Sequence, residues 1–563
     1  MGTSRATLEP MIQGILIIAF FLSVEGMCDE GGPSFKESQS SDAVRTSCLP
    51  TEPLKTLASA QQDCYRQGEA VRTLKSGVDG RTVIARRLGE GVGYAGGKGI
   101  RLSMTQRKIY SREPLQHLVS RDQKRVRRFA RHTESSSAVA TYASLRAEER
   151  ATFPDITNPG GKKKAHNTTY NSTSGVNNLF NFQSTVGSGV HLGSGEYFMD
   201  FYVGTPARLF SVIVDTGSDL TWVQCDPCKL CYPQEGDYFN PNASSSYYGL
   251  RCNSTSCRSA GGFGEDSHGD GGCNPQMPGD CKYFYNYGDL SNTTGDYALE
   301  TVTFNVSGGA PLQIEQILFG CGHSNIGLFQ GSGGLLGLGQ GAISFVSQIG
   351  NLFGNKFSYC LVPRDHPLGV KSPLVFGEDS AYASLENKMQ WTPILKNTPV
   401  DTFYYINITG VSVAGETLPI SEDVWIIDSQ GYGGSIIDSG TTLTYFKPEA
   451  YDLISKRIQE LISYPIVSSI PVLDICYNVS DVMNPDFPSL SITFQDNAIM
   501  ELPFKNYFIR ADPEDEVYCL ALLPGGPKNM NIIGNFQQQN FHVVYDRGNA
   551  RVGFAHVDCS SLL

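Results

Sequence analysis

Residues 433–446 read "GGSIIDSGTTLTYF". A β-type run, Ile436 and Ile437, stops at a carboxylate, Asp438, and apolar residues resume only after Ser439, Gly440 and Thr441. A charge at the end of an apolar strand is costly unless it is hydrogen-bonded or paired. The same grammar occurs upstream. Residues 211–224 read "SVIVDTGSDLTWVQ", with Asp215, Thr216, Gly217 and Ser218 standing before Leu220 and Trp222. A single Asp-hydroxyl-Gly segment indicates no more than a tight turn. Two copies, each followed at a distance by an apolar–apolar–Gly segment, indicate a duplicated unit. Those segments are "GGLLGLG" (333–339) and "NIIGNF" (531–536). The duplication predicts two similar lobes related by a pseudo-two-fold axis.

The residues after each Asp offer what a buried carboxylate needs. Gly217 and Gly440 let backbone N–H groups approach it, and the hydroxyls of Thr216, Ser218, Ser439 and Thr441 can fix its orientation. Two such turns meeting across an axis would bring Asp215 and Asp438 together. Carboxylates that close share one proton and titrate as a pair with two separated apparent pKa values. One then acts as base and the other as acid at the same pH, which suits attack of water on a peptide carbonyl. The scheme needs no cofactor and no metal.

Composition bounds the remaining possibilities. A chain of 563 residues exceeds one core, and its 60 glycines with many Tyr, Phe, Thr and Val favour short strands. Residues 1–190 hold 26 Lys and Arg against 17 Asp and Glu, a balance of +9. The remaining residues hold 18 against 39, a balance of −21. A basic leader thus precedes an acidic body, and the body is a poor partner for nucleic acid or anionic membrane. Arg5 before the apolar run "ILIIAFFL" (15–22) reads as a secretion signal over residues 1–27, too short to span a bilayer. No later segment reads as a stable membrane anchor. Eight N-x-[Ser/Thr] sequons agree with export, at Asn167, Asn171, Asn242, Asn253, Asn292, Asn305, Asn407 and Asn478.

Fifteen cysteines fit an oxidising compartment. "CDPCKLC" (225–231) has no His nearby at ligand spacing, so disulfides are expected there rather than zinc. Twelve cysteines follow residue 190. If the lobes divide near residue 380, nine fall in the first and three in the second, so full pairing needs a bridge between lobes. Cys360 with Cys559 is the expected one.

Several longer stretches resemble a known family. They include "GSGEYFMDFYVGTP", "YFYNYGDLSNTTGDYALETVTF", "FGCGHSNIGLF", "KFSYCL", "NIIGNFQQQNFHVVYD" and "RVGFAHVDC", beside the two Asp turns. Residues 190–563 resemble a pepsin-fold aspartic protease of the nepenthesin-type plant group. For such proteases a proton-sharing Asp dyad is the established arrangement. The resemblance implies an all-β, bilobal fold with a cleft between the lobes. It places the N-terminal lobe at 191–380 and the C-terminal lobe at 381–563, behind a prosegment and linker at 28–190. It puts Asp215 and Asp438 on the two catalytic positions. It puts Tyr287, Gly288, Asp289 and Leu290 on the flap over the substrate, with Trp222 hydrogen-bonded to Tyr287. Thr216, Gly217, Ser218, Ser439, Gly440 and Thr441 support the dyad. The family usually has Gly where Leu290 stands; if that position needs positive φ, Leu costs about 1 kcal/mol. A glycan on the neighbouring Asn292 would line the cleft entrance.

The expected function is a secreted, monomeric aspartic endopeptidase, destined for the apoplast or vacuole, acting on polypeptides at acid pH. Basic residues of the leader, around Lys124, Arg125, Arg127 and Arg128 in a predicted helix over 115–132, would pair with cleft carboxylates until acid releases them. Cleavage is expected between residues 164 and 193, with "NLFNFQ" (178–183) offering bulky residues. The alternatives are a catalytically inactive binding or inhibitor protein on the same fold and a structural glycoprotein. Inhibitors of that kind typically lose an Asp motif, and both are intact here.

Overall fold

The structure, a computed structural model, describes the strands Val71–Lys75, Thr82–Arg87 and Phe182–Ser188 and residues 195–562. Short gaps fall at 264–278, 290, 306–310, 330, 367–369, 380–384, 398, 469–472, 513–515 and 526–529. The signal run, the basic helix over 115–132, the linker at 158–175, Cys273 and Leu290 lie outside the described residues.

The body is all-β and bilobal, as the sequence predicts. Each lobe is built on its Asp turn. In the first, Arg208–Asp215 runs parallel to Gly334–Gly337, with Val214 opposite Leu336 and Asp215 opposite Gly337. Gly334–Gly337 in turn pairs antiparallel with Trp222–Gln224. The second lobe repeats this arrangement with Ser435–Ile437, Asn531–Ile533 and Thr444–Phe446. The two apolar–apolar–Gly segments are therefore the strands that pass between the two arms of each Asp turn. Their glycines are required by that passage. A Cβ on Gly337 would lie 2.3 Å from the Asp219 carbonyl carbon, and one on Gly534 would lie 2.4 Å from the Leu443 carbonyl oxygen.

A shared sheet joins the lobes. Lys356–Cys360 of the first lobe pairs on one side with Ser372–Phe376 and on the other with Phe541–Asp546 of the second. The sheet continues through Arg551–His556 to Gln390–Pro393. On the other side it continues through Phe182–Ser188 to Tyr197–Val203. Cys360 and Cys559 are disulfide-bonded across 199 residues, the inter-lobe bridge expected from parity. Cys228 pairs with Cys231, Cys225 with Cys321, Cys257 with Cys281 and Cys476 with Cys519.

Two findings depart from the sequence reading. Val71–Lys75 and Thr82–Arg87 form a hairpin in a region that shows no sustained strand alternation, and Thr82–Arg87 pairs with the edge of Leu312–Ile326. These strands are five and six residues long, too short to stand out as periodicity. A 14-residue helix, Pro448–Leu461, also interrupts the strand-and-turn pattern. It opens on Pro, which suits a first turn, and buries Ala450, Ile454 and Ile458 at four-residue spacing.

Candidate active site

The two Asp turns hold their carboxylates with matching donors. Gly217 N–H donates to Asp215 Oδ1 (2.9 Å) and Ser218 Oγ–H to Asp215 Oδ2 (2.7 Å). Gly440 N–H donates to Asp438 Oδ1 (2.9 Å) and Thr441 Oγ1–H to Asp438 Oδ2 (2.6 Å). Both Asp residues are fully buried. The strands deliver each carboxylate to the end of a sheet, and the turn returns a Gly N–H and a hydroxyl to it.

The turns touch through the residue that follows each Asp. Thr216 N–H donates to Ser439 Oγ (3.1 Å), and Ser439 N–H donates to Thr216 Oγ1 (2.8 Å). Ser439 Oγ–H donates onward to the Val214 carbonyl (3.0 Å). Each hydroxyl thus satisfies the other lobe's backbone, and neither turn is complete without its partner.

Above the first turn lies an aromatic cluster. Trp222 Nε1–H donates to Tyr287 Oη at 2.7 Å. Phe329 packs edge-on against both rings, with centroids 5.1 Å from Trp222 and 5.5 Å from Tyr287. Tyr287 extends from a hairpin formed by Lys282–Asn286 and Asn292–Phe304. At the hairpin tip, Ser291 donates from N and Oγ to the Asp289 carboxylate, and Leu328 N–H donates to Ser291 Oγ. Gly288 lies in the turn between Tyr287 and Asp289. The tip is thus fastened to the chain at 327–329.

Asp219, which the sequence reading passed over, connects these parts. Its N–H donates to Tyr285 Oη (3.0 Å), next to the last rung of the hairpin before its tip. Its carboxylate accepts from Gly341 N–H (2.8 Å) and from Thr402 Oγ1–H of the second lobe (2.6 Å). Burial pushes its pKa up to about 6, against the lowering effect of those two bonds; Asp401 raises it further and Arg547 lowers it. The signal was available in part, because Tyr285 is two residues before Tyr287 on the same strand face. Nothing local announced Thr402.

Asn292 sits opposite Asn286 and Ile326 in the hairpin sheet. That is the face opposite Tyr283 and Tyr285, so a glycan there would extend over the back of the hairpin and not along the cleft entrance, contrary to the sequence expectation.

This fold, with two Asp turns joined by reciprocal bonds, defines a pepsin-like protein. Family profiles described as Xylanase inhibitor N-terminal and Xylanase inhibitor C-terminal match residues 197–378 and 403–556. Aspartyl protease family protein 2 of Arabidopsis thaliana is 40% identical over 67% of this chain and 74% of its own. Aspartic proteinase nepenthesin-1 of Nepenthes gracilis is 40% identical over 68% of this chain and 82% of its own. The chain belongs to the plant aspartic protease family that includes the nepenthesins. The crystal structure of Basic 7S globulin from soybean shares the fold, with a TM-score of 0.55 and 21% identity over 68% of this chain and 98% of that one. Among the described residues, no helix is long and apolar enough to cross a membrane.

Proposed function

We propose that the chain is an aspartic endopeptidase that hydrolyses polypeptides at acid pH. It is exported to the apoplast or vacuole, made as a zymogen, and works as a monomer. The observation that carries this reading is the pair of matching donor sets on Asp215 and Asp438, joined through Thr216 and Ser439. In this reading the two carboxyls share one proton. The ionised one takes a proton from water as water attacks the scissile carbonyl, and the protonated one donates to the carbonyl oxygen. The hairpin carrying Tyr287, Gly288, Asp289 and Leu290 covers the substrate, and the Trp222 bond sets the position of the Tyr287 ring.

The basic leader is the inhibitor in this reading, and acid weakens its hold by protonating cleft carboxylates. Phe182–Ser188 is a sheet strand between Tyr197–Val203 and Ser372–Phe376, so cleavage before Phe182 preserves the sheet. Cleavage within "NLFNFQ" near its start satisfies this. N-terminal sequencing of acid-treated protein tests it; full activity with the leader intact at neutral pH would exclude the zymogen.

A second reading, an inactive binding protein on this fold, has one observation in its favour: the matched family profiles are described as xylanase inhibitor halves. One experiment separates the two. Hydrolysis of a denatured protein at acid pH is compared for wild type, Asp215→Asn and Asp438→Asn, with and without pepstatin. Pepstatin-sensitive cleavage by wild type alone supports the protease. Equal rates in all three remove the dyad.

A further inference from the structure

The back of the hairpin presents an unusual surface. Antiparallel sheets facing water on one side normally carry polar residues there. Here Phe284, Leu230 and Ile326 are 54%, 52% and 47% exposed. They are neighbours by register. Phe284 is opposite Thr294, Thr294 is opposite Ser324, and Ser324 bridges to Leu230. One pair further along, Asn286 is opposite Asn292, and Asn292 is opposite Ile326. Residues directly opposite one another share a face. The other face carries Tyr283, which is buried in the first lobe's aromatic core.

In the middle of this patch stands the sequon Asn292-Thr293-Thr294. Ile326 faces Asn292 directly, and Phe284 is its diagonal neighbour, roughly 7–8 Å away and within reach of a long substituent. The Asn292 side chain is partly exposed and has no hydrogen-bond partner among the described residues. By contrast, Asn305 of another sequon donates its amide to Tyr202 Oη.

We propose that Asn292 carries an N-linked glycan whose first sugars lie over Phe284, Ile326 and Leu230 and cover the back of the hairpin. A pyranose ring has an apolar C–H face and a rim of hydroxyls, so it can bury apolar side chains and still present hydroxyls to water. Attachment joins Asn292 Nδ2 to the anomeric carbon of an oligosaccharide carried on a lipid pyrophosphate. The sugar C–O bond to the pyrophosphate breaks, the pyrophosphate leaves with the electron pair, and the amide loses one proton. This inference rests on the export reading above.

The test expresses the full chain through the secretory pathway of plant cells. Glycopeptide mass spectrometry is combined with binding of a hydrophobic fluorescent probe. The expected result is a modified Asn292 and a wild-type protein that binds little probe. Asn292→Gln and Thr294→Ala should each lose this glycan and roughly double the probe signal, as an uncovered apolar patch would. Adding Phe284→Ser and Ile326→Ser to Asn292→Gln should return the signal to the wild-type level. An unmodified Asn292 in chains glycosylated at Asn242 or Asn253 overturns the proposal and leaves export standing. No glycan at any sequon overturns both. A glycan whose loss leaves probe binding unchanged removes the covering role.

Discussion

The two Asp turns share the pattern Asp-hydroxyl-Gly-hydroxyl, and they differ at the next residue and at the eighth. The first reads Asp-Thr-Gly-Ser-Asp-Leu-Thr-Trp from Asp215, and the second reads Asp-Ser-Gly-Thr-Thr-Leu-Thr-Tyr from Asp438. Where the first has Asp219, the second has Thr442; where the first has Trp222, the second has Tyr445. The shared residues bond within the turn or to the other turn. The divergent ones in the first lobe bond outward, Trp222 to Tyr287 and Asp219 to Gly341 and Thr402. The duplicated part of the molecule orients carboxylates. The unduplicated part bonds the hairpin of Tyr285 and Tyr287 to the first turn and ties that turn to the opposite lobe.

The comparison breaks first at the carboxylates. If Asp215 and Asp438 are halves of one unit, Asp215→Asn and Asp438→Asn each lower kcat/KM by about a thousandfold or more, and the double variant is no worse than either single. Additive losses in a steady-state assay would mean two independent groups. Next in size are the reciprocal hydroxyls. Thr216→Val and Ser439→Ala each remove an acceptor for a buried N–H and are expected to cost about 1–3 kcal/mol in denaturant unfolding. Unequal costs would show that one lobe depends on the other more than the geometry implies.

A smaller effect tests the asymmetry directly. Trp222→Phe keeps an aromatic side chain, though a smaller one, but loses the donor to Tyr287, and is expected to reduce kcat/KM by about tenfold, the worth of one buried hydrogen bond. The corresponding Tyr445→Phe should leave kcat/KM nearly unchanged; a matching loss would mean that the aromatic position matters equally in both lobes. The smallest expected effect concerns pH. Asp219 has a folded pKa of about 6 against an ordinary 3.8, so the native state binds more protons than the unfolded state between those values. Its contribution to stability is therefore favourable in acid, falls as pH rises from about 4 to 6, and is fully lost above that. Asp219→Asn retains an acceptor for Gly341 and a partner for Thr402. It should narrow the Tm difference between pH 4 and pH 7 by a few degrees. An unchanged difference would relieve Asp219 of this role.

The sequence made the carboxylate turns legible because their chemistry is local. Asp215 and Asp438 receive their donors from two and three residues further on. That a bridge crosses between the lobes was legible for a different reason: parity is a global constraint that needs no geometry, although it does not single out Cys360 and Cys559 among the possible pairs. Asp219 was not legible, because Gly341 and Thr402 lie 122 and 183 residues away and carry no motif pointing back. The Val71–Arg86 pairing was also hidden, since a short hairpin added to a sheet edge is stabilised by the strand it joins and not by its own pattern. The back of the hairpin shows the opposite case. Its sequon was plain to read, but the face it occupies depends on strand register, which a shift of one residue would invert.

The shared sheet also dictates an order of events during synthesis. Lys356–Cys360 receives one of its two neighbours from Phe541–Asp546. At about 5–20 residues per second, that neighbour leaves the ribosome on the order of ten seconds or more after the strand it must join. Until then the first lobe has an open, hydrogen-bond-hungry edge, a template for mispairing. The first half of the chain therefore finishes folding only when the second half delivers its last strands.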